Sequence, residues 1–163
     1  MLLNYVEGMH TAAQTVSKLL PFAAEASWAT GRWGTLAKYT SMAPPGIGED
    51  FNVNVGRALL SLQEADEDQF KHSVNSIRDR IARSLSTATI SSLGACHDTM
   101  LKLHVLTELE MIAGTNQSTS DNLPGILESL NRRLEVIGAF LNDKQYLLGI
   151  RRAAMQLSRY VPS

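Results

Sequence analysis

The stretch Glu25–Tyr39, EASWATGRWGTLAKY, constrains the fold of this chain more than any other. Trp28 and Trp33, the only two tryptophans, stand on either side of Gly31. Glycine takes a left-handed turn without a Cβ penalty, small residues let backbones approach, and apolar residues at helical spacing mark a buried face. Ala23, Ala26 and Ala29 before the glycine, and Trp33, Leu36 and Ala37 after it, therefore predict the elbow of an antiparallel helix pair. Such an elbow belongs to a scaffold, and its residue types carry no chemistry.

The helical period continues through the chain. Leu2, Val6, Met9, Ala13, Val16 and Leu20 recur at four and three, and Pro21 is expected to break that helix and sit in the first turn of the one holding Trp28. The helix from Trp33 should end near Ser41, before the loop Ala43-Pro44-Pro45-Gly46-Ile47-Gly48. Glu49-Asp50 place negative charge at the start of a helix that buries Phe51, Val55, Ala58, Leu59 and Leu62. Asp66-Glu67-Asp68 open another, with Phe70, Val74, Ile77, Ile81 and Leu85 on its stripe and an end near Ser86-Thr87. Asp79 and Arg83 flank that stripe at i,i+4.

Ala88–Ala113 reads as one long segment, stopped by Gly114. Between Met100 and Ile112 its apolar residues cover more than one face, so this should be the most buried element. Gly114–Asn122 is a polar loop, Asp121-Asn122 a cap, and Pro124 a first-turn residue. Leu127, Leu130, Leu134, Ile137 and Leu141 form the next stripe. Asn142-Asp143 then cap a last helix with Leu147, Ile150, Ala154, Leu157 and Val161. No stretch alternates with period two. The expected fold is all-α, with seven or eight helices in tandem antiparallel pairs, an α-solenoid. It is read as a single helical-repeat segment over 1–163 with loops near 42–50 and 114–122.

Hydrophobic residues make up 44% and charged residues 19%, which suits a folded chain with some surface turned toward protein. A formal charge of −1 speaks against general nucleic-acid affinity. The arginine clusters Arg78/Arg80/Arg83, Arg132/Arg133 and Arg151/Arg152 are expected to solvate helix faces. One cysteine, Cys96, excludes an intrachain disulfide and points to a reducing compartment. The start Met1-Leu2-Leu3 has no basic flank and no cleavage pattern, so no signal peptide is expected, and no apolar run reaches membrane-spanning length.

Chemistry is sparse. Gly46-x-Gly48 has no third glycine, lysine or preceding strand, so it is not a phosphate loop. His97, His104 and Glu108 share a helix, but zinc needs three or four ligands and no second cluster accompanies them. Glu108 and Glu110 lie on different faces, and the neighbours Cys96 and His97 point apart. No nucleophile elbow or kinase catalytic signature is present, so no catalytic, cofactor-binding or metal residue is expected.

Gly31-x-Trp33-x-x-Leu36 resembles the turn inside a tetratricopeptide unit, and a related turn recurs at Ala65–Phe70. Trp33 and Phe70 are 37 residues apart, within the span of helix-pair repeats. Four longer blocks resemble the FAT domain of phosphatidylinositol-3-kinase-related kinases, in the ATR-type checkpoint form of filamentous fungi. Glu25-Ala26-Ser27-Trp28 followed by Trp33-Gly34-Thr35-Leu36 is similar to Glu-Ala-x-Trp…Trp-Asp-x-Leu. Gly56-x-x-Leu59-Leu60, Asp66-x-x-x-Phe70, Arg78 and Leu85-Ser86 are similar to the following helix pair. Leu103-His104-x-Leu106-x-Glu108-Leu109-Glu110 resembles Leu-His-x-Leu-x-Glu-Leu-Glu, and Leu148-x-Ile150-Arg151-Arg152-Ala153 resembles Leu-x-Leu-Arg-Arg-Ala. Gly34 departs from the pattern, standing where the family has an aspartate able to cap a helix.

The resemblance implies a non-catalytic solenoid segment of a large nuclear serine/threonine kinase in DNA-damage checkpoint and repair signalling. It implies that Glu25, Trp28, Trp33, Leu36, Leu103, His104, Leu106, Glu108, Leu109, Arg151 and Arg152 are structural motif residues. Partners would be the remaining FAT and kinase domains, an ATR-interacting subunit or a homodimer mate, with no direct nucleic-acid or membrane contact. ATP and magnesium would be bound by the parent kinase and not by this segment. The alternative is a free-standing tetratricopeptide-like adaptor for a partner peptide, which calls for a polar inner groove.

Overall fold

A computed structural model describes residues 2–44, 46, 48, 50–87, 93–115 and 123–158, with the side chains of 2–11 and 87 outside that description. Among the described residues there are seven helices and no strand: α1 (Leu2–Ala29), α2 (Trp33–Met42), α3 (Phe51–Gln63), α4 (Glu67–Thr87), α5 (Leu93–Thr115), α6 (Leu123–Val136) and α7 (Leu141–Leu157). The chain divides into two compact units, Met1–Leu60 and Ser61–Ser163. No helix among the described residues is long and apolar enough to cross a membrane.

In the amino-terminal unit, α1 and α2 meet at the expected elbow. Gly31 has φ +71°, its N–H donates to Trp28 O (3.3 Å), and the Arg32 N–H donates to Ser27 O (2.8 Å). This pair of bonds satisfies the last carbonyls of α1 and turns the chain back. The apolar face of α1 differs from the expected one. Leu20, Ala24, Ser27 and Trp28 are buried, whereas Ala13, Val16, Ala26 and Ala29 are exposed. An alanine-rich helix carries two stripes at three-and-four spacing, and packing selects one. On α2 the buried residues are Leu36 and Thr40; Trp33 is only half-buried and Ala37 is exposed.

Pro21 does not start a helix. It lies inside α1, which runs unbroken from Leu2 to Ala29. Proline's fixed φ is itself helical, so the cost is one missing backbone bond and crowding of the preceding turn, and the packed turns that follow offset it. At α3, Gly56 lets two helices close up: a Cβ there would stand 2.9 Å from Leu36 Cδ1. Asp50 Oδ1 accepts the N–H groups of Asn52 (2.8 Å) and Val53 (3.3 Å), capping α3 with the expected acid. Val55, Ala58, Leu59 and Leu62 are buried as read, and Phe51 is half-buried.

In the carboxy-terminal unit, the α3–α4 turn repeats the Gly31 geometry with alanine. Ala65 has φ +59°, with bonds from Ala65 N to Leu62 O (3.3 Å) and from Asp66 N to Ser61 O (3.0 Å). The matching stations are Gly31 and Ala65, 34 residues apart, so the repeat is tighter than the Trp33–Phe70 spacing suggested. Asp66 Oδ1 caps α4 through Gln69 N (2.9 Å). Phe70, Val74, Ile77 and Ile81 are buried; Leu85 is exposed.

α5 contacts α4, α6 and α7, and Val105, Leu106, Glu108, Leu109 and Ile112 are buried along it. Being covered on several sides explains why its apolar residues follow no single stripe. The helix passes through Gly114 to Thr115, two residues later than expected. The break between the last two helices also moves. α6 ends at Val136, Gly138 turns the chain with φ +71°, and α7 starts at Leu141. Asn142-Asp143 are thus first-turn residues and not caps, and Leu141 is exposed rather than on the α6 stripe. The expected Asp121-Asn122 cap, most of the 114–122 loop and Val161 lie outside the described residues.

Candidate functional site

The polar chemistry of the carboxy-terminal unit converges on α5. Glu108 is wholly buried and Arg151 of α7 nearly so. Arg151 Nε donates to Glu108 Oε2 and Arg151 Nη2 to Glu108 Oε1, each at 2.9 Å. Nη2 also donates to Leu130 O on α6 at 2.7 Å, and Nη1 reaches Asn131 Oδ1 at 3.5 Å. One guanidinium thereby joins three helices. The fork-to-fork geometry suits arginine and not lysine, because two parallel N–H groups meet two carboxylate oxygens. Removing either partner leaves a desolvated charge, so the pair fixes the register of α5 against α7.

Two more links leave the same helix. Arg78 of α4 holds Glu110 in a second bidentate pair at 2.9 and 2.7 Å, half exposed, and this bond raises the arginine's pKa. His97 meets Asp143, in the first turn of α7, at 2.5 Å, and its ring lies 4.6 Å from that of Phe140. Glu108 and Glu110 do face different ways, one toward α6 and α7, the other toward α4.

His104 sits one turn before Glu108 and contacts Arg133 Nη1 through Nδ1 at 3.4 Å. Burial lowers its pKa first, the Arg133 charge lowers it further, and Glu108 opposes both. Both effects favour the neutral ring, in which Nδ1 can accept from Arg133. Among the described residues, no three His, Cys, Asp or Glu side chains converge as metal ligands: His97 is engaged by Asp143, and His104 by Arg133.

Of the other motif residues, Leu106 and Leu109 are fully buried core, while Leu103 is partly exposed and Arg152 exposed. In the amino-terminal unit Trp28 and Leu36 are core, Trp33 is half-buried, and Glu25 Oε2 accepts from Asn52 Nδ2 at 3.2 Å. Burial, then the Asp50 charge, raises the Glu25 pKa. Arg32 occupies the N-cap of α2 and gives no side-chain cap bond, and Gly34 lies in the first turn of that helix.

Two features escaped the sequence. Arg151 was expected at a solvated face and is buried. Arg57, which no motif marks, donates to Gly48 O (2.8 Å) and Thr40 O (3.0 Å), tying Gly48 to the end of α2. An arginine within an otherwise apolar stripe, as at Leu147, Ile150, Arg151 and Ala154, is the signal available for the first.

A family model described as the FAT domain matches residues 20–161. The match covers all the helices from the last turns of α1 onward. It describes a non-catalytic helical region of phosphatidylinositol-3-kinase-related kinases.

Proposed function

Since the chain belongs to the FAT domain family, we propose that it is a scaffold segment of an ATR-type serine/threonine checkpoint kinase. In that role it supports the kinase domain of the same polypeptide and takes part in protein–protein assembly during DNA-damage signalling in the nucleus. ATP and magnesium are the parent kinase's, and an ATR-interacting subunit or a second copy is the partner.

The observation that carries this reading is the Glu108–Arg151 pair. It joins the Leu-His-x-Leu-x-Glu-Leu-Glu block on α5 to the Leu-x-Ile-Arg-Arg-Ala block on α7, so two separate resemblances meet in one contact. A scaffold that transmits contacts needs its helices held in fixed register, and a buried bidentate pair does this.

The test begins with the open reading frame. Kinase catalytic motifs downstream of this segment are expected, and a frame that closes near Ser163 would instead favour the free-standing adaptor. In the full polypeptide, Arg151→Lys should lower kinase activity while leaving ATP affinity unchanged. The purified segment should transfer no phosphoryl group from ATP; detectable transfer would overturn the scaffold reading.

A further inference from the structure

The end of α4 is uncovered. Ile81 is buried, and Ala82, Arg83, Ser84, Leu85 and Ser86 after it are all exposed. Five consecutive residues go once round a helix, so no side of that turn is buried. Two of its bonds are local: Ser84 Oγ donates to Ile81 O (2.8 Å) and Ser86 Oγ to Arg83 O (2.9 Å). Bonds of this kind compete with the helical ladder, and the final carbonyls of a helix have no ladder partner. Little buried surface therefore opposes local opening of this turn.

One hydroxyl in this turn is marked by its neighbours. Arg83 lies three residues before Ser86, and no other serine in the chain has an arginine at that position. An arginine so placed suits a kinase whose substrate groove carries carboxylates, which pair with the guanidinium while the acceptor chain lies extended. Thr35 has Arg32 at the same spacing, but it is half-buried, and the Arg32 N–H is bonded to Ser27 O (2.8 Å) in the Gly31 elbow. We propose that Ser86 accepts a phosphoryl group from an arginine-directed serine/threonine kinase, and that the phosphate unwinds the end of α4. Ser86 Oγ attacks the γ-phosphorus of ATP. The new O–P bond forms as the bond from that phosphorus to the β,γ-bridging oxygen breaks; ADP leaves with the electron pair, and the hydroxyl proton passes to the kinase's base. The ester oxygen has no proton, so the bond to Arg83 O is lost. The phosphate also sets a dianion at the negative pole of the helix dipole. This inference does not depend on the checkpoint-kinase reading.

The test uses the 163-residue chain, ATP with magnesium, and the catalytic subunit of cAMP-dependent protein kinase as the arginine-directed probe. Phosphate is expected on Ser86, mapped by fragment mass spectrometry, and Ser86→Ala should abolish its incorporation. Arg83→Ala changes an exposed side chain and should lower kcat/KM at least about tenfold. The folded chain should react within about a hundredfold of the free peptide 78–87, because the turn opens locally. After phosphorylation, amide exchange over 83–87 should quicken at least about twofold. A chain slower than that hundredfold limit, phosphate placed chiefly on another residue, or a rate indifferent to Arg83→Ala would overturn the acceptor site. Exchange that is unchanged or slower in the phosphorylated chain would overturn the unwinding.

Discussion

In the amino-terminal unit, the close contacts are steric and the buried polar groups meet neutral partners. Leu36 closes on Gly56, Thr40 Oγ1 returns to Leu36 O at 3.0 Å, and the Arg57 guanidinium meets backbone carbonyls. In the carboxy-terminal unit, α5 is held by polar pairs: the ion pairs of Glu108 with Arg151 and Glu110 with Arg78, and the hydrogen bond between His97 and Asp143. Shape fixes the first arrangement, and a lost atom there leaves a gap. Pairing fixes the second, and a lost partner leaves an unsatisfied ion, a larger penalty per atom removed.

The sharpest test of this contrast is Glu108→Ala. Stranding Arg151 should lower unfolding stability by about 3–5 kcal/mol, read by urea denaturation. The double change Glu108→Leu with Arg151→Met should recover most of that loss, because the desolvation cost disappears with the pair. A single-variant loss below about 1 kcal/mol would mean the pair is no stronger than a surface one. Next, Gly56→Val should cost about 1–3 kcal/mol by forcing Leu36 and Thr40 apart, with no dependence on salt. A salt-dependent loss there would erase the distinction between the units.

Ala65→Gly gives the amino-terminal unit's turn residue to the carboxy-terminal one. Relief of the left-handed alanine should stabilise by roughly 0.5 kcal/mol net of glycine's extra chain entropy. A loss of stability would show that the Ala65 methyl contributes more to packing than its backbone costs.

Acid should move the two units in opposite directions, and this is the smallest effect because both groups are partly solvated. Glu25 has a raised pKa, so below that value the folded state binds more protons than the unfolded one, and stability rises as pH falls toward 4.5. His104 has a lowered pKa, so between that value and 6.5 the unfolded state binds more protons, and stability falls as pH drops through this window. Amide exchange at pH 7, 5.5 and 4.5, corrected for intrinsic rates, reads each unit separately. Glu25→Gln and His104→Gln should each flatten the response of their own unit; the same sign of response in both would refute the assignment.

Local rules made much of the fold readable. The α4 stripe and the acids at Asp50 and Asp66 act within a few residues of chain, and Gly31 needs only its own backbone. The α5 core was legible because a helix apolar on several sides must be covered on several sides. The remainder depended on distant partners. Choosing between the two stripes of α1 requires knowing what lies beside it. Gly138 was passed over because Ile137 and Leu141 continue the leucine spacing across it. Glu108 and Arg151 each stood inside a recognised block, yet their 43-residue separation hides the bond between them.

Pro21 has a mechanical meaning. Lacking an N–H, it leaves one rung of α1 open about two turns before the helix ends. A rod with a missing rung yields there first, so bending imposed on the start of α1 is absorbed at Pro21. The turns beyond it, carrying Ala24 and Trp28, keep their seating while the rest of the rod swings.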